Sequence, residues 1–207
     1  MKDIILAGIQ ASGKTQSQQL LVHFSLLKYF ETGGILRSLQ SSDNAIGNYL
    51  KDLTANGHLV KDEVVSGLFG VYLETLDIDV VLADCLRRMG QTQAIIQQLM
   101  QRQRDFVVIE LMIPEDEVYT RLAHRMICTN CGAAHNTDLH DITTCTACGS
   151  LYRRNDDADL NAIKNRVSAY YQDTVPALAW IKEQHLVQID GTQSIEKIFA
   201  EILSIIS

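Results

Sequence analysis

Proline is almost missing from this chain, with two in 207 residues, and aromatic residues make up only 6%. Together with twelve glycines, this gives no support to a Pro/Gly-rich disordered or fibrous chain. No apolar run approaches the roughly 18 residues of a membrane-spanning helix. The short apolar run after Met1-Lys2-Asp3 is no secretory h-region, so a cytoplasmic location without a membrane partner is expected. Positive charge is also short. The formal net charge is -7, whereas backbone binding of nucleic acid needs Lys and Arg to neutralise phosphates. A nucleic-acid partner is therefore not expected, although a local basic cleft is compatible with this balance.

What is present is globular. Hydrophobic residues make up 46% of the chain, and its length suffices for one full core plus a small module. Five cysteines need a reason in a reducing compartment, where disulfides are rare. Four of them form two CxxC pairs. Cys85 stands alone and is expected to be a reduced, partly buried thiol.

Short apolar runs at Ile4–Ala7, Asp79–Asp84, Phe106–Leu111 and Leu186–Ile189 read as buried parallel strands, which lack alternation because helices cover both faces. Helical spacing separates them. Thr15–Phe24 reads as a helix. Glu115–Met126 reads as another, with Val118, Leu122 and Met126 on its apolar side and Arg121 and Arg125 sharing a face. A stripe of Ile195, Ile198, Phe199, Ile202 and Leu203 marks the last helix. This alternation predicts an α/β fold, doubly wound, with ligands at the carboxyl ends of the strands. Residues from about 31 to 61 read as short helices without a clear strand, and those from about 127 to 152 as a polar, cysteine-bearing segment. Both are expected to be insertions over the sheet edge.

Gly8-Ile9-Gln10-Ala11-Ser12-Gly13-Lys14-Thr15 fits GxxxxGK[ST], with a strand before it and a helix after. Gly8 and Gly13 permit backbone angles that turn successive N–H groups toward an anion at a helix N-terminus. Gly8, Ala11, Ser12, Gly13, Lys14 and Thr15 are the expected phosphate contacts. Lys14 is suited to reach the β- and γ-phosphates, and the Thr15 hydroxyl to hold Mg²⁺. Asp84, at a strand end, is a second Mg²⁺ anchor, direct or through water.

Cys128-x2-Cys131 and Cys145-x2-Cys148 are 13 residues apart, and each pair is followed by glycine. Two such knuckles offer four thiolates in a tetrahedron, which suits structural zinc. An iron–sulfur centre or a redox thiol pair is the alternative. His124, His135 and His140 nearby are read as solvent-exposed, not as ligands. Arginines recur where phosphate chemistry needs forked donors: Arg37, Arg87, Arg88, Arg121, Arg125, Arg153, Arg154 and Arg166.

These residues resemble the adenylate kinase family of nucleoside monophosphate kinases. Thr32-Gly33-Gly34-Ile35-Leu36-Arg37 is similar to its threonine-glycine-aspartate, leucine-arginine segment, with Gly34 in place of the aspartate. Gly57-His58-Leu59-Val60-Lys61-Asp62 resembles its glycine-x-leucine-valine-x-aspartate segment, and Arg154-Asn155-Asp156-Asp157 its arginine-x-aspartate-aspartate. Arg166, Tyr170 and Pro176 resemble its distal arginine, tyrosine and proline. The acceptor motif differs: Asp84-Cys85-Leu86-Arg87 lacks the family's glycine, phenylalanine and proline but keeps an arginine and Gln91.

The resemblance implies a P-loop three-layer core over 1–30, 63–125 and 153–207. It also implies a helical monophosphate-binding insertion over 31–62 and a zinc-ribbon lid over 126–152. The implied reaction is Mg²⁺-dependent transfer between ATP and AMP, giving two ADP, by a monomer. Thr32, Arg37, Val60, Arg87 and Gln91 would contact the monophosphate. Arg121, Arg125, Arg154 and Arg166 would contact ATP or neutralise the transferred group, and Lys14 and Arg87 would join them in catalysis. A different small acceptor, or an ATP-binding regulatory role with little turnover, remains as the alternative.

Overall fold

A computed structural model of the chain describes residues 1–14, 16–55, 60–77, 79–123, 125–128, 130, 134–136, 144–145, 148–150, 160–181 and 185–206. Its centre is a parallel sheet of β1 (Asp3–Gly8), β2 (Leu27–Glu31), β3 (Val80–Asp84), β4 (Phe106–Met112) and β7 (Leu186–Asp190), in the order β2-β3-β1-β4-β7. The other two strands, β5 (Arg125–Ile127) and β6 (Ala134–Asn136), pair antiparallel in a separate hairpin.

Helices α1 (Gln16–His23), α2 (Thr32–Gln40), α3 (Ala45–Ala55), α4 (Asp62–Glu74), α5 (Met89–Gln101), α6 (Glu115–Ala123), α7 (Leu160–Ala169), α8 (Val175–Ile181) and α9 (Ile195–Ile206) follow in chain order. A π-helical turn, Tyr170–Thr174, joins α7 to α8. No helix among the described residues is long and apolar enough to cross a membrane.

The uninterrupted apolar strands have the predicted cause. Alternate residues of β1, β3 and β4 enter opposite layers. Ile5, Ala7, Val81, Ala83 and Val108 pack against Phe69, Leu73, Ile95, Leu99 and Leu178 of α4, α5 and α8. Ile4, Leu6, Leu82, Val107 and Ile109 pack against Leu20, Ile198, Ile202 and Ile206 of α1 and α9. Each such side chain contributes about 1.5–3 kcal/mol on burial, so the strands beside β1 form the rigid part of the molecule. The chain runs from β1 out to β2 and back to β3, then crosses β1 to β4. That reversal leaves the crevice above the carboxyl end of β1, where such sheets take ligands.

Three expectations are corrected. First, β2 is a strand that the sequence pattern did not reveal. In Leu27-Lys28-Tyr29-Phe30-Glu31 only Leu27 and Phe30 are buried, because β2 is an edge strand. Second, the helix expected over Glu115–Met126 ends at Ala123. Arg125 and Met126 belong to β5, so Arg125 does not share a helix face with Arg121. Third, Cys85 is fully buried in the core, not partly.

The amino end of the sheet is held by a buried ion pair. Arg104 donates from Nε and Nη2 to the Asp3 carboxylate at 2.5 and 2.8 Å, and Asp3 also accepts from the Val81 backbone N–H. This cluster lies at the end of the sheet opposite the ligand crevice.

Candidate active site

The loop after β1 turns on residues with left-handed backbone angles: Gly8 at φ +137°, Ala11 at +65° and Gly13 at +105°. At Gly8 the need for glycine is also steric, since a Cβ there would lie 2.5 Å from the Leu111 carbonyl oxygen and 2.6 Å from Ser12 Oγ. Lys14 folds back over the loop and donates from Nζ to the carbonyls of Gly8 (2.9 Å) and Ile9 (3.0 Å).

Burial pushes the Lys14 ammonium down to a pKa of about 8; Asp84 and Glu31 raise it, while Arg87 and Arg125 lower it further. Its charge is thus held in a poorly solvated place with cations nearby, a setting that an anion would improve. Ser12 is fully buried, and its Oγ has no hydrogen-bond partner. An unpaired buried hydroxyl costs about 1–3 kcal/mol, a cost that an added acceptor or donor would offset. Thr15 lies outside the described residues.

Arg121 braces this loop. From α6 it donates through Nε to Glu117 (2.7 Å), through Nη1 to the Ala11 carbonyl (3.2 Å) and through Nη2 to the Gly191 carbonyl (3.0 Å). Gly191, just after β7, comes so close that a Cβ would lie 2.8 Å from the Ser12 carbonyl oxygen. Arg125, at the start of β5, is near enough for its charge to be felt at Lys14. Arg166 is exposed on α7. Arg153, Arg154, Asp156 and Asp157 lie outside the described residues, as do His124, His140 and the side chain of His135.

The expected acceptor residues gather at the ends of β2 and β3, which run side by side with Glu31 opposite Asp84. Arg37 pairs with Glu31 at 3.2 Å and Arg87 with Asp84 at 3.3 Å. The Arg87 backbone is fixed at both ends: its N–H donates to Gln91 Oε1 (3.0 Å), and its carbonyl accepts from Thr174 Oγ1 (2.8 Å). Thr32 Oγ1 is buried without a partner. The Val60 carbonyl accepts from Arg88 Nη2 at 2.7 Å, while Arg88 Nε donates to Asp62 at 2.8 Å.

Sequence reasoning assigned no role to Glu31 or Thr174, and it counted Arg88 only among the arginines suited to phosphate, whereas Arg88 bonds Asp62 and the Val60 carbonyl. Arg88 joins segments that only the fold brings together, Glu31 ends a strand that the sequence pattern did not reveal, and Asp62, at the end of the quoted Gly57–Asp62 segment, was the one local signal. The departures Cys85 and Leu86 are 0% and 2% exposed, so they pack into the core and do not line the acceptor crevice. Burial pushes the Cys85 thiol far up, which leaves it unreactive.

In the cysteine module the Sγ atoms of Cys128, Cys145 and Cys148 lie within 4.8 Å of one another, and Cys128 and Cys148 approach to 2.9 Å. The second pair sits in a tight knuckle, where Gly149 at φ +82° brings its N–H to the Cys145 carbonyl at 2.7 Å. Three thiols converging on one point suit a soft, tetrahedral ion. Cys131 lies outside the described residues.

A family model described as Adenylate kinase matches residues 6–186. The chain is 31% identical over 208 residues to an adenylate kinase of Wolbachia sp. subsp. Drosophila simulans (strain wRi), with 99% of this chain and 97% of that protein covered. It is 31% identical over 214 residues to one of Enterococcus faecalis (strain ATCC 700802 / V583), covering 99% and 98%. It is 29% identical over 213 residues to one of Archaeoglobus fulgidus, covering 99% and 97%. The chain belongs to the adenylate kinase family. As a member of that family it is an enzyme of the kinase type. The family match runs from within β1 to the first residue of β7.

Proposed function

We propose that this enzyme transfers the γ-phosphoryl group of ATP to a nucleoside monophosphate, AMP first among them, giving two nucleoside diphosphates in an Mg²⁺-dependent reaction. The observation that carries this reading is Lys14, lodged against the Gly8 and Ile9 carbonyls with the carboxylates of two strand ends, Asp84 and Glu31, and the guanidinium of Arg87 close enough to shift its proton affinity.

Gly8, Ala11, Ser12, Gly13, Lys14 and Thr15 would cradle the donor polyphosphate, with the cramped Gly8 and the unpaired Ser12 hydroxyl as evidence of fit. Thr32, Arg37, Val60, Arg87 and Gln91 would set the acceptor. Asp84 and Thr15 would hold Mg²⁺, which when bound offsets charge on the transferring phosphates. The protein's own part is positioning. Arg87 holds the acceptor phosphate in line, Lys14 and Arg125 neutralise the group in flight, and Arg121 keeps the loop still. Arg154 and Arg166 are assigned to the donor side. Exclusion of water keeps hydrolysis from competing.

We assign residues 1–30, 63–125 and 153–207 to the core, 31–62 to the acceptor-binding insertion and 126–152 to a lid. Cys128, Cys131, Cys145 and Cys148 are assigned to a structural zinc in that lid. A coupled assay with ATP, Mg²⁺ and each common monophosphate tests the reading. ADP formation is expected, greatest with AMP, and Lys14→Ala should lower turnover by at least 100-fold with the fold intact. Absence of transfer to every monophosphate would defeat the proposal.

A further inference from the structure

The first turn of α2 contains two successive glycines, Gly33 and Gly34, and both face the same carboxylate. A Cβ on Gly34 would lie 2.9 Å from Glu31 Oε2, and one on Gly33 would lie 3.2 Å from Glu31 Oε1 and 3.0 Å from Arg37 Nη1. Glu31 therefore curls from the end of β2 over the start of the helix and occupies the volume that a side chain at position 34 would fill. It makes no capping hydrogen bond there. Among the described residues its hydrogen-bond partner is Arg37, at 3.2 Å.

The neighbouring strand repeats the arrangement, with Asp84 opposite Glu31 in register and paired to Arg87. Two strand-end carboxylates thus each hold one arginine beside the phosphate loop. Where the resembling segment carries an aspartate, this chain has Gly34, and the missing carboxylate has been moved three residues back.

We propose that Glu31 is the positioning residue for Arg37, supplying from position 31 the carboxylate absent at position 34. This rests on the reading of Arg37 as a contact to the acceptor phosphate. The Glu31 contact uses one terminal nitrogen, Nη2, so the rest of the guanidinium fork stays available to an anion. Holding a flexible arginine in its working place lowers the cost of ordering it when the acceptor arrives. Both side chains are substantially exposed, so the pair adds little to stability. Its effect belongs to acceptor binding.

Steady-state kinetics with ATP and AMP test this in the full chain. Glu31→Gln should raise KM for AMP about tenfold, with KM for ATP and kcat within about threefold of wild type. On an Arg37→Ala background the same substitution should add nothing. Glu31→Ser paired with Gly34→Asp, which restores a carboxylate from the other position, should recover KM for AMP to within about threefold, whereas Glu31→Ser alone should not. An active wild type with an unaltered Glu31→Gln variant would overturn this inference alone. So would a loss that persists in full on the Arg37→Ala background, or a double variant that is not rescued. A wild type that transfers to no monophosphate would overturn both this inference and the functional reading beneath it.

Discussion

At the scale of single residues, Lys14 shows how burial and function are linked. Its ordinary pKa of 10.5 falls to about 8 in the folded chain, because burial disfavours the charged form. Between those values the unfolded chain binds more protons than the native one, so Lys14 makes stability rise with pH across that window; below it the penalty is constant. A polyphosphate beside the ammonium reverses the shift. Binding of MgATP at about pH 8.5 should therefore take up roughly three quarters of a proton, falling toward zero near pH 6.5 for this group. Calorimetry in buffers of different ionisation enthalpy measures this directly, and Lys14→Ala should remove the uptake.

Residues also mark what a sequence reveals. The tight turn after β1 was legible because its signal is contiguous: glycines, lysine and hydroxyl follow one another, with a strand before them. The bonds of Arg88 were not legible, because its partners lie far along the chain, and Glu31 was not, because the strand it ends was not. The pairing of β2 with β3 and the approach of residues 60–62 to the loop after β3 create their roles. Arg121 stood out in the sequence as an arginine suited to a phosphate. Its three existing bonds, to Glu117, Ala11 and Gly191, did not, and they make it a brace of the loop first.

At the scale of elements, strands buried on both faces were readable as short apolar runs, and edge strand β2 was not, since half its side chains meet solvent. The end of α6 was misjudged because Met126 fits helical spacing, yet the chain turns there to pair with β6. The joint between the α2–α3 layer and the core is carried by Arg88, whose bonds to Asp62 and the Val60 carbonyl join the loop after β3 to the start of α4. Charge-assisted bonds of this kind contribute about 1.5–3 kcal/mol when well shielded. With both side chains nearly a third exposed, Arg88→Ala should cost about 1–2 kcal/mol in urea unfolding. Arg88→Lys should recover part of that loss, since an ammonium can satisfy one partner but not the fork.

At the scale of the molecule, the packed sheet and the cysteine module draw stability from different sources. The sheet buries two apolar layers, whereas the module has three converging thiols in a stretch whose sequence is mostly polar. Metal binding would then supply its folding energy. The purified protein should carry about one zinc per chain. Chelation should raise amide exchange across 125–150 first and leave β1, β3 and β4 protected, as hydrogen-exchange mass spectrometry would register. A metal-free preparation with that segment fully protected would contradict the assignment.

The π-helical turn at Tyr170–Thr174 ties these scales together. Its first residue hydrogen-bonds Glu110 on the central sheet, and its last caps the carbonyl of Arg87. A widened turn carries one residue more than an α-helical path over the same distance. Removing one residue would regularise the helix yet rotate all that follows by about a quarter turn, carrying Thr174 away from the acceptor arginine. The spacing between Tyr170 and Thr174 is thus a measured length, like a peg set to one notch, and tolerance to point substitution there would not extend to deletion.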